Sequence, residues 1–386
     1  MLLAGPGQSL PVSGQQAITG GPLIRRSIRR PVALAVAAAL VASLPSPAQA
    51  AATSYVALGD SYSSGTGTGR YLRDGTSCER SVYAYPALVA AGRGYALNFR
   101  ACSGATTADV RDLQLSALSR ATTHVSISVG GNDAGFTAVL TECAKPAWAS
   151  NCNAAVDRAR DVVNRQLPAR LASLFSAVRG RAPRARVVVV GYPRIFNGED
   201  CNALTWFSPT EQSRLNAVAD LLDARLSTAA SEAGLLFRRS APAFVGHAVC
   251  DSPAWLNGLS RPVRESYHPN RVGHSAGLAP LVGPALTGSP VVVSAATVRA
   301  SEASAAPLAA QQRRHAVQDR RITPQRFTVP DLDSPAIRRA AERAGVRLTS
   351  RASIDAADRR YSARQAAARG GRDPGAAGDA AGRPDR

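Results

Sequence analysis

The stretch "VALGDSYSSG", residues 56–65, places small and apolar residues directly before Gly-Asp-Ser and a row of hydroxyl side chains. An apolar run of this kind is typical of a buried strand, and the polar residues after it indicate a turn into a helix. Such a turn can act only as a helix cap, or it can present one serine, Ser61, to a substrate. The rest of the sequence decides between these two interpretations.

Strand and helix patterns alternate from about residue 54 to residue 286. The strands are predicted at 54–60, 95–101, 124–131, 185–193 and 235–241. The helices are predicted at 83–92, 107–118, 134–142, 153–180, 208–234 and 270–286. Four consecutive valines in the fourth strand suit a parallel strand that is buried on both faces. The alternation predicts an α/β fold, a three-layer α/β/α, flavodoxin-like sandwich around a five-stranded parallel sheet.

Three of these strands end in polar sequences: GDS at 59–61, CSGAT at 102–106 and GGND at 130–133. Ligands of open parallel sheets bind outside the carboxyl ends of the strands. A turn with a purely structural role does not need to repeat such a pattern on neighbouring strands. We therefore expect a binding site at this edge of the sheet.

The first 50 residues have the pattern of an export signal. Arginines between positions 25 and 30 precede an apolar run at 31–44, and "SPAQA" at 46–50 supplies small residues for cleavage. The run is short for a membrane span. We expect a signal peptide at 1–50 and a secreted mature protein, exported by either the Sec or the twin-arginine route.

The rest of the chain divides into a folded domain at 51–290 and a tail at 291–386 that is rich in Ala and Arg. We expect the tail to be largely flexible, with a possible short helix at 334–346. Roughly the last 20 residues are predicted to be disordered, because they are polar and rich in Gly.

All the cysteines follow the predicted signal: Cys78, Cys102, Cys143, Cys152, Cys201 and Cys250. An even number of cysteines in an exported chain indicates disulfide bonds. Several pairings are open, and we expect pairing in sequence order: Cys78–Cys102, Cys143–Cys152 and Cys201–Cys250. No Cys-x-x-Cys occurs, so no metal site is expected.

The formal net charge is +19. A charge of this sign favours contact with nucleic acid or with anionic surfaces. The basic residues are dispersed and accompany no nucleic-acid-binding motif, so we expect no nucleic-acid partner. Peripheral contact with lipid surfaces stays open, and we expect a monomer.

Four motifs in order resemble those of the SGNH/GDSL hydrolases, and most of all the secreted actinobacterial esterases, lipases and phospholipases. They are GDSYSSG at 59–65, the glycine of CSGAT at 104, GGND at 130–133 and HPN at 268–270. The resemblance covers roughly residues 54–286. It implies a carboxylic ester hydrolase of the esterase or lipase type, which acts on a small-molecule or lipid ester and needs no cofactor.

Serine is a weak nucleophile at its own pKa and needs a base. The resemblance implies that Ser61 attacks the ester and that His268 takes its proton and returns it to the leaving alcohol. His268 precedes Pro-Asn and a predicted helix start, in a loop at the expected active edge. The other histidines are expected to have structural roles or to lie in the tail. They are His124, His247, His274 and His315.

The group that orients His268 has two candidates. Glu265 stands where many members of the family carry an aspartate, and the backbone carbonyl of Ser266 replaces that acid in several secreted relatives; we favour the carbonyl. The oxyanion hole is expected to combine the Ser61 N–H, the Gly104 N–H and the side-chain amide of Asn132. Asp60 and Asp133 are expected to brace loops.

The same residues would also serve a carbohydrate acetyl esterase or an acyltransferase, so both remain alternatives. A catalytically inactive surface-binding protein is disfavoured, because Ser61, Gly104, Asn132 and His268 are all present.

Overall fold

A five-stranded parallel sheet lies at the centre of the structure, a computed structural model that describes residues 53–370. Its strands are β1 Ser54–Gly59, β2 Ala96–Phe99, β3 His124–Ser128, β4 Arg186–Val190 and β5 Leu236–Arg238. All neighbouring strands pair in parallel, in the order β2-β1-β3-β4-β5. This confirms the predicted α/β fold with its flavodoxin-like strand order. The predicted signal peptide at 1–50 lies outside the described residues.

Helices cover both faces of the sheet. They are α1 Ser61–Ser64, α2 Tyr85–Arg93, α3 Thr107–Asp109, α4 Phe136–Cys143, α5 Cys152–Arg165, α6 Leu167–Arg181, α7 Pro209–Glu232, α8 Ala279–Thr287, α9 Ala295–Ala303, α10 Ala305–Arg313, α11 Ala316–Asp319, α12 Pro335–Ala344 and α13 Arg351–Gly370. Helix α2 packs with α8 and α9, whereas α5, α6 and α7 pack together. Within residues 53–370, none of the helices has the length and apolar character needed to cross a membrane.

Three predicted helices are irregular. The helix expected at 270–286 contains a π-helical segment, Gly273–Leu278, before α8 begins. The helix expected at 107–118 is regular only in α3 and continues as a wide π turn over Val110–Gln114. The buried amide of Gln114 explains the distortion, because it accepts from the Gly59 N–H (2.8 Å) and donates to the Gly59 carbonyl (2.9 Å). The helix expected at 153–180 divides into α5 and α6, where Pro168 occupies the first turn of α6.

The C-terminal part of the chain, here called the extension (residues 291–370), is helical rather than largely flexible. Several of its apolar side chains are buried, namely Leu308, Ile322, Phe327, Ile337 and Ile354. The helix predicted at 334–346 is α12. Overall composition predicted flexibility because Ala and Arg dominate, but widely spaced apolar residues such as Leu308, Ile337 and Ile354 allow α10, α12 and α13 to pack. The disorder predicted for the end of the chain falls mostly outside the described residues.

A buried ionic cluster joins the extension to the sheet domain. Asp319 in α11 accepts from the guanidinium groups of Arg80 (2.6 Å) and Arg100 (2.8 Å). Arg80 also donates to Asp74 (2.7 Å), and all four side chains are buried. Two positive and two negative charges therefore balance in an environment where an unpaired charge is costly.

Removing the carboxylate of Asp319 tests this cluster. Asp319→Ala leaves two buried arginines with one acidic partner, so we expect the free energy of unfolding to fall by about 3–5 kcal/mol. Urea unfolding at pH 7 measures the loss. Asp333→Ala removes an exposed ion pair with Arg338 and should cost about 1 kcal/mol or less. Equal effects of the two substitutions would contradict an anchoring role for Asp319.

Candidate active site

The turn after β1 fixes the position of Ser61. Gly59 has φ 116°, and a Cβ there would overlap the backbone of Ser128 at the end of β3. The chain therefore passes close to β3, and the Asp60 N–H donates to the Ser128 carbonyl (3.0 Å). The Asp60 carboxylate caps α1 by accepting from the Tyr62 N–H (3.0 Å). Ser61 is consequently the first residue of α1, at the carboxyl edge of the sheet.

Ser61 and His268 form a hydrogen bond although 207 positions separate them in the sequence. The distance between Ser61 Oγ and His268 Nε2 is 2.9 Å, and that between His268 Nδ1 and the Ser266 carbonyl oxygen is also 2.9 Å. A carbonyl oxygen can only accept, so the proton of the neutral ring lies on Nδ1. Nε2 then presents its lone pair to the Ser61 hydroxyl.

An unusual backbone conformation aims the Ser266 carbonyl at the ring. Tyr267, between Ser266 and His268, has φ 62°, which side-chain-bearing residues adopt only when neighbours enforce it. The Tyr62 hydroxyl donates to the Tyr267 carbonyl (3.0 Å). Asn257 pairs with the same segment, since its carbonyl accepts from the Tyr267 N–H (3.0 Å) and its N–H donates to the His268 carbonyl (2.9 Å).

The carboxylate of Glu265 has a different partner. It accepts from the Tyr71 hydroxyl at 2.7 Å, and the Tyr71 oxygen in turn accepts from the Gly67 N–H at 3.1 Å. Of the two candidates for orienting His268, the structure places the Ser266 carbonyl, and not the Glu265 carboxylate, at Nδ1.

Gly104 and Asn132 lie beside the Ser61–His268 pair and line one polar pocket with it. Gly104 has φ 87°. One hydrogen of the Asn132 amide is donated to the Ala105 carbonyl (3.1 Å), which fixes the side chain and leaves the second hydrogen for a ligand. The first N–H groups of a helix, that of Ser61 among them, also lack partners within the helix.

Covalent and polar contacts brace the loops around these donors. The structure joins the cysteines in sequence order, as Cys78–Cys102, Cys143–Cys152 and Cys201–Cys250. Cys102 is two residues before Gly104, so the first of these bonds fixes that loop. Asp133 accepts from the Thr107 N–H (2.9 Å) and hydroxyl (2.6 Å) and therefore braces the loop after Asn132.

Residues 57–276 match the model of the GDSL-like Lipase/Acylhydrolase family. The chain belongs to this family. It is a carboxylic ester hydrolase, and the similar proteins described next are named lipases. A lipase of Streptomyces rimosus is 43% identical over 61% of this chain and 87% of its own length. Lipase 1 of Streptomyces coelicolor is 41% identical over 64% of this chain and 93% of its own.

Solved structures of GDSL hydrolases from Streptomyces resemble this one. The extracellular lipase of Streptomyces rimosus has a TM-score of 0.58 at 42% identity, over 61% of this chain and 100% of the solved chain. Phospholipase A1 of Streptomyces albidoflavus NA297 has a TM-score of 0.57 at 43% identity, over 60% of this chain and 98% of its own.

Burial shifts the pKa values of His268 and Asp60 in this GDSL hydrolase. It lowers the pKa of His268 to about 4, and the hydrogen bond to Ser266 opposes this only in part. Burial also raises the pKa of Asp60 to about 7, against the hydrogen bond that the Tyr192 hydroxyl donates to it at 2.5 Å. His274 is buried, and its Nδ1 accepts from the Tyr85 N–H (3.2 Å), so its role is structural.

An apolar pocket opens from Ser61 and His268. Its apolar lining includes Phe136, Leu140, Ile195, Val218, Leu222, Tyr267 and Phe327. These residues could not be recognised from the sequence, because each belongs to an ordinary apolar pattern of a helix or loop. For Phe327 the only signal was the short "FTVPDL" segment at 327–332 in a polar tail.

The protonation of His268 can be measured directly. Because burial lowers its pKa to about 4, we expect a neutral ring at pH 5–7, whereas an exposed histidine near its usual pKa of about 6.5 takes up its proton in that range. NMR titration of the ring resonances, assigned with His268→Gln, gives the pKa and shows which nitrogen carries the proton. A pKa near 6.5 would contradict the expected effect of burial, and a proton on Nε2 at pH 7 would contradict the hydrogen bond to Ser266.

Proposed function

We propose that the protein is a secreted serine esterase or lipase that cleaves acyl esters through an acyl-enzyme on Ser61, with His268 as the base. The observation that carries this proposal is the 2.9 Å hydrogen bond from Ser61 Oγ to the unprotonated Nε2 of His268. Secretion is supported by the signal-like sequence at 1–50 and by the extracellular lipase among the relatives.

In the first half of the reaction, Ser61 Oγ attacks the carbonyl carbon of the ester while His268 Nε2 takes the hydroxyl proton. The tetrahedral intermediate then collapses, and Nε2 gives this proton to the departing alcohol. In the second half, His268 takes a proton from water, the resulting hydroxide oxygen attacks the acyl carbon, and the acid leaves. Nε2 returns the proton to Ser61 Oγ, which restores the enzyme.

His268 carries a positive charge during each half of this cycle. The Ser266 carbonyl, whose oxygen bears partial negative charge, accepts from Nδ1 and stabilises the charged ring without a carboxylate. Because burial lowers the pKa of His268, the ring is neutral and able to act as a base at pH 7 in the free enzyme.

The negative charge on the substrate oxygen needs donors that are fixed before the reaction. These donors would be the backbone N–H groups of Ser61 and Gly104 and the free amide hydrogen of Asn132. The apolar pocket beside Ser61 would hold the acyl chain, and the polar pocket around Gly104 would hold the alcohol portion.

Substitution of the proposed nucleophile tests the mechanism. Ser61→Ala should lower kcat by a factor of about 10⁶, because the proposed acyl-enzyme cannot form without the Ser61 hydroxyl. The assay is hydrolysis of p-nitrophenyl acetate, butyrate and palmitate by purified 51–386. Ser213→Ala, at an exposed position of α7, should retain wild-type rates. Activity that survives in Ser61→Ala would show that another residue is the nucleophile.

Asn132 provides a separate test of the oxyanion donors. Asn132→Ala should lower kcat by about 10²–10³ with little change in KM, because the lost hydrogen bond forms mainly in the transition state. Asn151→Ala removes an amide from an exposed position and should leave kcat unchanged. A loss confined to KM would mean that Asn132 binds the substrate and not the oxyanion.

A further inference from the structure

The extension reaches the proposed active site. Between α11 and α12, residues 322–329 run without helix or strand past the polar and apolar pockets; we call them the crossing segment. Pro324 lies against Gly104, where a Cβ on the glycine would overlap it. Gln325 lines both pockets and Phe327 lines the apolar one.

We propose that the crossing segment is a wall of the acyl-binding pocket and that Phe327 determines which acyl chains the enzyme accepts. This inference rests on the proposed function, since it concerns the substrate of the same site. It assigns a specificity role to a part of the chain outside residues 57–276, which match the family model.

Phe327 is in direct contact with the catalytic loop. Its ring packs edge to face on Tyr267, with 4.9 Å between the ring centroids, and Tyr267 precedes His268. Phe327 is buried, whereas the flanking Arg326 and Thr328 are exposed. The phenyl ring is therefore the apolar side chain that the crossing segment contributes to the apolar pocket, which Leu140 of α4 and Val218 of α7 also line.

Contacts on both sides hold this ring in place. Before it, Ile322 is buried three residues after Asp319, which is bound to Arg80 and Arg100. After it, the Thr328 N–H donates to the Thr141 hydroxyl of α4 (3.2 Å). A wall fixed at both ends limits the length and width of the chain that fits beside Ser61.

The extension lies outside the family region, residues 57–276, and part of this chain has no counterpart in a solved relative. The complete solved chain of the Streptomyces rimosus lipase corresponds to only 61% of this one. The wall contributed by Phe327 is thus an addition to a site whose Ser61, Gly104, Asn132 and His268 lie within the family region. Its effect should appear in the choice of substrate and not in the chemical step.

Substitutions that shrink or enlarge the ring test this role. The readout is the ratio of kcat/KM for p-nitrophenyl palmitate to that for p-nitrophenyl butyrate, measured with purified 51–386. Phe327→Ala should raise this ratio about tenfold or more, because it deepens the pocket, and Phe327→Trp should lower it by a similar factor. Phe327→Leu, which keeps most of the packing on Tyr267, should give an intermediate ratio.

Val317→Ala is the matched control, because Val317 lies in the extension but is 78% exposed. It should leave the ratio unchanged. The proposal would be overturned if both kcat/KM values changed equally in every Phe327 variant, so that their ratio stayed constant. Equal losses would indicate that Phe327 only packs against its neighbours. Equal gains would indicate that it only blocks access of every substrate. A shift in the same direction for the smaller and larger side chains would overturn the proposal as well.

The two proposals fail in different ways. If Ser61→Ala retains the activity, or if the wild type hydrolyses no ester, the proposed function is wrong. If Ser61→Ala is inactive and the Phe327 variants keep the wild-type ratio, only the specificity role is wrong. Thermal unfolding of each variant shows whether it is folded, and Phe327→Leu and Phe327→Trp keep the test valid if Phe327→Ala does not fold.

Discussion

A hydrogen bond between the imidazole of His268 and the carbonyl oxygen of Ser266 determines which nitrogen of the ring faces Ser61. The carbonyl belongs to a residue only two positions away, so the backbone must turn sharply between them. Tyr267 makes this turn in a left-handed conformation, which is held by a hydrogen bond from the Tyr62 hydroxyl to its carbonyl and one from its own N–H to the Asn257 carbonyl. The orientation of the base therefore depends on backbone geometry. The carboxylate of Glu265 instead accepts a hydrogen bond from the Tyr71 hydroxyl.

The extension depends on a different constraint, the need to balance buried charge. Arg80 and Arg100 are fully buried beside the loops that lead to Gly104, and Asp74 alone cannot neutralise both. Asp319 supplies the second negative charge and thereby fixes the chain just before it crosses the site. The same interaction that stabilises the domain thus places a wall next to the proposed nucleophile.

The fold and the polar residues of the site could be predicted because both are local in the sequence. Each strand is a short apolar run, and Ser61, Gly104 and Asn132 each follow the end of one. The π turn at Gln114, the conformation of Tyr267 and the position of Phe327 could not be predicted. They depend on partners far away in the sequence: Gln114 binds Gly59, and Asp319 pairs with residues more than 200 positions away.

The assignment of Ser61 as the nucleophile can be tested by a crystal structure of 51–386 after reaction with a long-chain alkyl phosphonate ester. Such a reagent attaches to an activated serine and resembles the tetrahedral intermediate. We expect phosphorus on Ser61 Oγ, with a phosphonyl oxygen within hydrogen-bond distance of the Gly104 N–H and the Asn132 amide. Phosphorus on any other side chain, or an unmodified Ser61 in fully inhibited protein, would contradict it.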